Sequence, residues 1–123
     1  MSGRDFIGTS FLDVFDMFVI NTPTKMALSF LDDHGDVTTS LTYQRLADSS
    51  RALAAHMMNK LKLKKGDRVI LVYPPSLDFV VAFIACLRVG VIAVPVFPPD
   101  PSKLNKGTNP ISFLSHILQH YIL

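Results

Sequence analysis

Residues 73–101 read YPPSLDFVVAFIACLRVGVIAVPVFPPDP, and their reading decides the fold. The run just before, Arg68 to Tyr73 (RVILVY), is rich in β-branched residues and lacks polar alternation. That is the pattern of a strand covered on both faces. Pro74-Pro75 breaks the chain, and Ser76 is placed to cap the next element. Leu77 to Val89 is long enough for a helix, with Asp78 in the first turn and Arg88 in the last, as the helix dipole favours. Gly90 stands where a helix end often turns left-handed. Val91 to Phe97 is a second buried-strand run. Strand, helix and strand with short joins predict a βαβ unit, parallel and with a right-handed crossover. On its helix, Leu77, Val80, Val81, Ile84 and Leu87 are expected to face the sheet. Arg88 is expected to tolerate replacement at an exposed helix end.

Upstream, Phe11, Leu12, Phe15, Phe18 and Val19 recur at three- and four-residue spacing, giving a helix with one apolar face. Ser10 and Asp13 form a weak capping box, and Asn21 to Pro23 ends the helix. Ala27–Leu31 and Val37–Leu41 predict a β-hairpin closed by Asp32-Asp33-His34-Gly35-Asp36, which is turn chemistry. Thr42 is placed to N-cap a helix running to about Leu61. Arg45 stands where an acidic residue would complete the reciprocal cap. Lys60, Lys62, Lys64 and Lys65 come next and read as a solvated face near a helix C-terminus. A nucleic-acid patch would need interleaved aromatic residues, and none is present there.

At 123 residues the chain holds one domain at most. Its composition, 49% hydrophobic against 18% charged, suits a piece of a larger core. A net charge of +2 is too small to imply a polyanionic partner. Cys86 is the lone cysteine, so no internal disulfide forms, and its apolar helical setting reads as a small buried hydrophobe. The opening MSGRDFIGTS lacks the apolar core of a secretory signal. Together these point to a reducing, cytoplasmic setting.

Several strings suggest chemistry and lack a needed residue. Asp32, Asp33, His34 and Asp36 have no second cluster to complete a metal site. His116 and His120 share a helix face, but Ile117 stands where a zinc motif of this spacing needs Glu. Gly3 to Ser10 has phosphate-loop spacing with Thr9 in place of the lysine. Pro98 to Pro101 fits a polyproline ligand pattern, but also the rigid exit from a buried strand. Phe79 to Phe97 approaches the roughly 20 apolar residues of a membrane span. Arg88 in mid-bilayer would cost about 2.5–3.5 kcal/mol, and Gly90 and Pro95 would interrupt the helix, so a span is disfavoured. No catalytic, cofactor-binding or metal-binding residue is assigned.

Four strings in order carry a resemblance: Leu41-Thr42-Tyr43 with Leu46, Gly66-Asp67-Arg68-Val69, the YPPSLDF and AFIACL segments, and VIAVPVFPP. They resemble the N-terminal part of the AMP-dependent synthetase and ligase superfamily, the acyl-adenylate-forming enzymes. They are most similar to its fatty-acyl-AMP ligase branch and the related Disco-interacting proteins of animals. The resemblance spans residues 10 to about 105. It implies an α/β fold, the start of the large adenylate-forming domain, over residues 10–123, with residues 1–9 as a tail. It also implies a full-length parent that uses ATP and Mg²⁺ to adenylate a fatty acid. That parent would pass the acyl group to an acyl-carrier protein or coenzyme A.

The family's Ser/Thr/Gly-rich phosphate loop, adenine motif, ribose-binding Asp and catalytic Lys lie downstream of the matched region. No TSGTTGxPK-like string occurs in these 123 residues. The expectation is therefore a segment cut before the phosphate-binding loop and inactive alone. Two alternatives are a non-enzymatic short isoform acting as a binding module, and a small membrane-associated protein using residues 79–97.

Overall fold

A computed structural model describes residues 10–96 of the chain. Its elements run α1 (Phe11–Asn21), β1 (Met26–Leu31), β2 (Val37–Thr42), α2 (Tyr43–Asn59), β3 (Arg68–Val72), α3 (Leu77–Val89) and β4 (Ile92–Val96). The strands form two separate pairs, β1 with β2 antiparallel and β3 with β4 parallel. The α/β class and the βαβ unit agree closely with the sequence. The His116/His120 pair and the Pro98–Pro101 string lie outside the described residues.

Local chemistry sets the element ends. The Ser10 hydroxyl accepts from Asp13 N–H at 3.2 Å, and Ser10 N–H donates to the Asp13 carboxylate at 3.2 Å, a complete capping box. Thr42 caps α2 through Arg45 N–H at 3.2 Å with no acidic residue in the first turn, so that cap is one-sided. Helix α2 ends at Asn59, short of Leu61, because Lys62 turns left-handed (φ 57°) and Leu63 N–H returns to Met57 C=O. At the hairpin tip the Asp32 carboxylate accepts from His34 and Asp36 N–H at 2.8 and 3.0 Å. The acidic cluster thus builds a turn. Gly90 ends α3 at φ 86°, and a Cβ there would lie 3.2 Å from the Lys65 side chain. Both facts favour glycine.

Helix α3 packs between two apolar clusters. On one side Ala82, Ala85 and Cys86 meet Leu71, Val91, Ala54 and Met57. On the other, Ile84 joins Phe15, Val19, Leu46 and Ala47, with Val80 and Val81 at its margin. This corrects the expected sheet-facing set. Small residues face the sheet because a close helix approach needs them, while Val80, Val81 and Ile84 turn toward α1, and Leu87 is exposed. The strands differ as well. Val69, Leu71, Tyr73 and Ala93 pack toward the helices, whereas Ile70, Val72, Val94 and Val96 are only half-buried. Among the described residues, α2 and α3 cover one face of the pair. Covering both faces, as the apolar runs anticipate, would take more than these elements.

Arg88 does not sit at a free helix end. Its Nε donates to the fully buried Ser50 hydroxyl at 3.0 Å, and its guanidinium reaches the Asp16 carboxylate at 3.3 Å. Its head also lies 5.7 Å from the centre of the Phe15 ring. Ser50 in turn donates to Ala47 C=O at 3.0 Å, so the buried hydroxyl is satisfied on both sides. One side chain thereby ties α3 to α2 and α1. Its side chain is 13% exposed, against 51% for Arg51, which touches the same carboxylate at 3.7 Å.

These contacts rank the expected effects of substitution. Arg88→Ala should lower stability by about 2 kcal/mol, because Ser50 and Asp16 lose a partner in a partly buried site. Arg51→Ala should cost under about 0.5 kcal/mol, since an exposed pair is worth little. Urea unfolding of the two variants compares them directly. Ala82→Arg should cost more than about 3 kcal/mol by forcing a charge into the α3–sheet seam, seen as loss of the native circular-dichroism melt. Burial also raises the Cys86 thiol above its ordinary value of 9.0. A raised folded value means that the stability is fully present below pH 9.0 and declines as pH rises through the folded value. Cys86 should therefore resist a thiol reagent until denaturant is added, and a Cys86→Ala variant should lose less stability than the wild type above that pH.

Candidate functional site

In open α/β sheets, ligands settle outside the carboxyl ends of parallel strands, where connecting loops leave a crevice. Here that edge is formed by the ends of β3 and β4 and by Tyr73-Pro74-Pro75-Ser76. A shallow cleft of about 50 Å³ is lined by Tyr73, Pro74, Pro75, Phe79, Pro95 and Val96. Tyr73 and Phe79 meet edge to face, with centroids 6.4 Å apart. The start of α3 opens onto this edge, but Ser76 already occupies it. Its hydroxyl accepts from Phe79 N–H at 3.2 Å and donates to Pro74 C=O at 2.9 Å. The two prolines supply no N–H donors. This edge is rigid and largely apolar.

Two further hollows flank it. One, of about 330 Å³, lies between the hairpin and α3, with Phe30, Thr39, Ser40, Leu41, Ser76, Leu77 and Asp78 on its walls. The other, of about 260 Å³, lies beneath α1 and is walled mainly by Phe15, Phe18, Leu28, Tyr43, Leu46 and Val80. Phe18 stacks on Tyr43 with centroids 5.6 Å apart. The hollow beneath α1 is almost wholly apolar, whereas the one between the hairpin and α3 carries the hydroxyls of Thr39, Ser40 and Ser76 and the Asp78 carboxylate. Among the described residues no group of three or more His, Cys, Asp or Glu side chains is placed to hold a metal ion. Among the described residues on those walls Asp78 is an acid with no second carboxylate beside it. Among the described residues these walls therefore do not fit a Mg²⁺ site.

The residues weighed in the sequence are dispersed. Cys86 lies in the α3–sheet seam, the Asp32–Asp36 group at the hairpin tip, and the lysines at the opposite, amino end of the sheet. Sequence reading missed the Arg88–Ser50–Asp16 cluster. A signal did exist: Asp16 stands in the middle of α1 between Phe15 and Met17, past the first turn where the helix dipole accounts for Asp13. Of the residues 79–97 weighed as a span, those described divide into most of α3, the Gly90 turn and β4. Among the described residues no helix is long and apolar enough to cross a membrane.

Known proteins share this arrangement. The pattern of the AMP-binding enzyme family matches residues 15–120. The medium-chain-fatty-acid–[acyl-carrier-protein] ligase JamA of Moorena producens is 35% identical over 82 residues, covering 67% of this chain and 14% of that protein. Disco-interacting protein 2 homolog A of Homo sapiens is 38% identical over 92 residues, covering 75% of this chain and 6% of that protein. The crystal structure of fatty acyl-adenylate ligase from L. pneumophila, in complex with acyl adenylate and pyrophosphate, superposes with a TM-score of 0.76 at 29% identity, covering 98% of this chain and 20% of that one. The chain thus spans a small part of the length of the relatives it matches. It belongs to the AMP-binding enzyme family and corresponds to the N-terminal part of its fatty-acyl-AMP-ligase-like members.

Proposed function

We propose that this chain contributes the opening segment of the large domain of a fatty-acid-adenylating protein, with residues 10–123 in that domain and residues 1–9 as a tail. The observation that carries the reading is the superposition on an acyl-adenylate-binding ligase over nearly the whole chain. In the complete protein, a fatty-acid carboxylate oxygen would attack the α-phosphorus of ATP. The bond to the β-phosphate bridging oxygen would break, leaving acyl-adenylate and pyrophosphate. A carrier-protein or coenzyme A thiol would then take the acyl group and release AMP. At the carboxyl edge of β3–β4 the described residues place neither a basic phosphate clamp nor a carboxylate cluster, so no step of that reaction is assigned to them. Their part is to build α3 and the β3–β4 edge on which further strands and the reacting loops are set. A cytoplasmic location belongs to this reading and is supported by the single, buried cysteine.

Two measurements test it. The chain alone, given ATP, Mg²⁺ and fatty acids of graded length, should release no pyrophosphate above background. Turnover that a substitution within residues 10–96 abolishes would overturn the reading. Conversely, a chimera of the L. pneumophila ligase in which this chain replaces the matching segment should still form acyl-adenylate. A folded chimera without that activity would count against it.

A further inference from the structure

The amino end of the parallel pair is closed by the turn joining α2 to β3, and its backbone is held tightly. Leu63 N–H donates to Met57 C=O at 3.0 Å, Asp67 N–H to Lys64 C=O at 3.0 Å, and Gly66 N–H to Gly90 C=O at 2.9 Å. Lys64 N–H donates to the Asp67 carboxylate at 2.7 Å. Leu63 is drawn against the core, and Lys62 takes up a positive φ. What this fixed turn presents outward is cationic. Lys60, Lys62, Lys64, Lys65 and Arg68 are all exposed, and between Asn59 and Leu77 the sole acid is Asp67. Among the described residues none of these five cations is in an ion pair. The α2 dipole accounts for Lys60, but its influence fades within the last turn.

Apolar side chains stand among these cations. Leu61 is 57% exposed and Met58 47%. We propose that this corner of the molecule docks on the surface of an anionic lipid bilayer. The lysine head groups would meet the phosphates, and Leu61, with Met58, would dip into the boundary between head groups and acyl chains.

The choice of partner rests on the residue types. Single-stranded nucleic acid is held on aromatic platforms, and this turn has none. Protein interfaces deplete lysine from their centres and anchor on aromatic residues and arginine. Lysines that can extend while aliphatic neighbours insert suit a charged interface with hydrocarbon beneath. A cluster of four to eight Lys or Arg is the composition read by acidic lipids. Docking here is peripheral, independent of any membrane span and of the adenylation chemistry proposed above.

Flotation of the full chain with vesicles tests the proposal, since aggregates stay at the bottom of the gradient. The chain should float with phosphatidylcholine–phosphatidylserine vesicles and not with phosphatidylcholine alone, and added salt should weaken the association. Each single Lys→Gln change at Lys60, Lys62, Lys64 or Lys65 should reduce partitioning about fivefold. The quadruple K60Q/K62Q/K64Q/K65Q variant should behave as on neutral vesicles, while the corresponding quadruple Lys→Arg variant keeps binding. Leu61→Ser should reduce partitioning on the order of tenfold and retain the salt dependence. All these side chains are exposed, so circular dichroism should be unchanged. Equal flotation with neutral vesicles, no flotation, or an unaltered quadruple Gln variant would overturn the proposal. So would tighter binding to a polyglutamate peptide or single-stranded RNA that ignores Leu61→Ser.

Discussion

The structure depends on α3 being buried from two sides at once. A helix that packs on a strand pair with Ala82, Ala85 and Cys86 comes close to it, because those side chains add little thickness. The opposite side carries Val80, Val81 and Ile84, which reach outward to Phe15 and Leu46. Close packing has little tolerance for changed volume, so the two clusters are coupled through one rigid element. Shifting α3 toward either neighbour opens a gap on the other side. Arg88 locks that arrangement at the helix end. It satisfies the buried Ser50 hydroxyl and the Asp16 carboxylate together, which sets how α1 lies across the pair formed by α2 and α3.

Seen from function, the described region is a scaffold. Its carboxyl edge is closed by two prolines and a self-satisfied Ser76, features that fix the start of α3 and themselves react with nothing. The apolar hollow beneath α1 and the half-covered outer face of β3–β4 leave hydrocarbon surface that a larger domain would use. This agrees with relatives many times longer than the matched segment.

The charge distribution supplies a contrast. The overall charge of +2 is small, yet it conceals segregation. Acids concentrate in α1 and the hairpin, and cations gather at the turn into β3. Net charge governs long-range behaviour, but local patches govern contacts within a Debye length. A lysine turn pinned by its own backbone hydrogen bonds presents its charges with less loss of freedom than an unstructured run would.

Much of the fold was legible because its signals are local. The Ser10–Asp13 box, the Asp32–Gly35 turn, the Pro74-Pro75-Ser76 break and Gly90 each act through neighbours a few residues away, so element types and most ends could be read directly. The end of α2 was misplaced because a left-handed Lys62 obeys no residue preference. Which face of α3 meets the sheet was not legible, since an almost wholly apolar helix has no polar stripe to orient it. Nor was the role of Arg88, whose partners lie 38 and 72 residues away in sequence. Sequence by itself determined the order of elements, the parallel unit and the family likeness, because these rest on short-range backbone chemistry and on strings of adjacent residues. Tertiary structure alone decided which apolar residues share a cluster, that Arg88 ties three helices together, and that the lysine turn is pinned to the Gly90 end of α3. Those relations arise only when packing brings distant segments together.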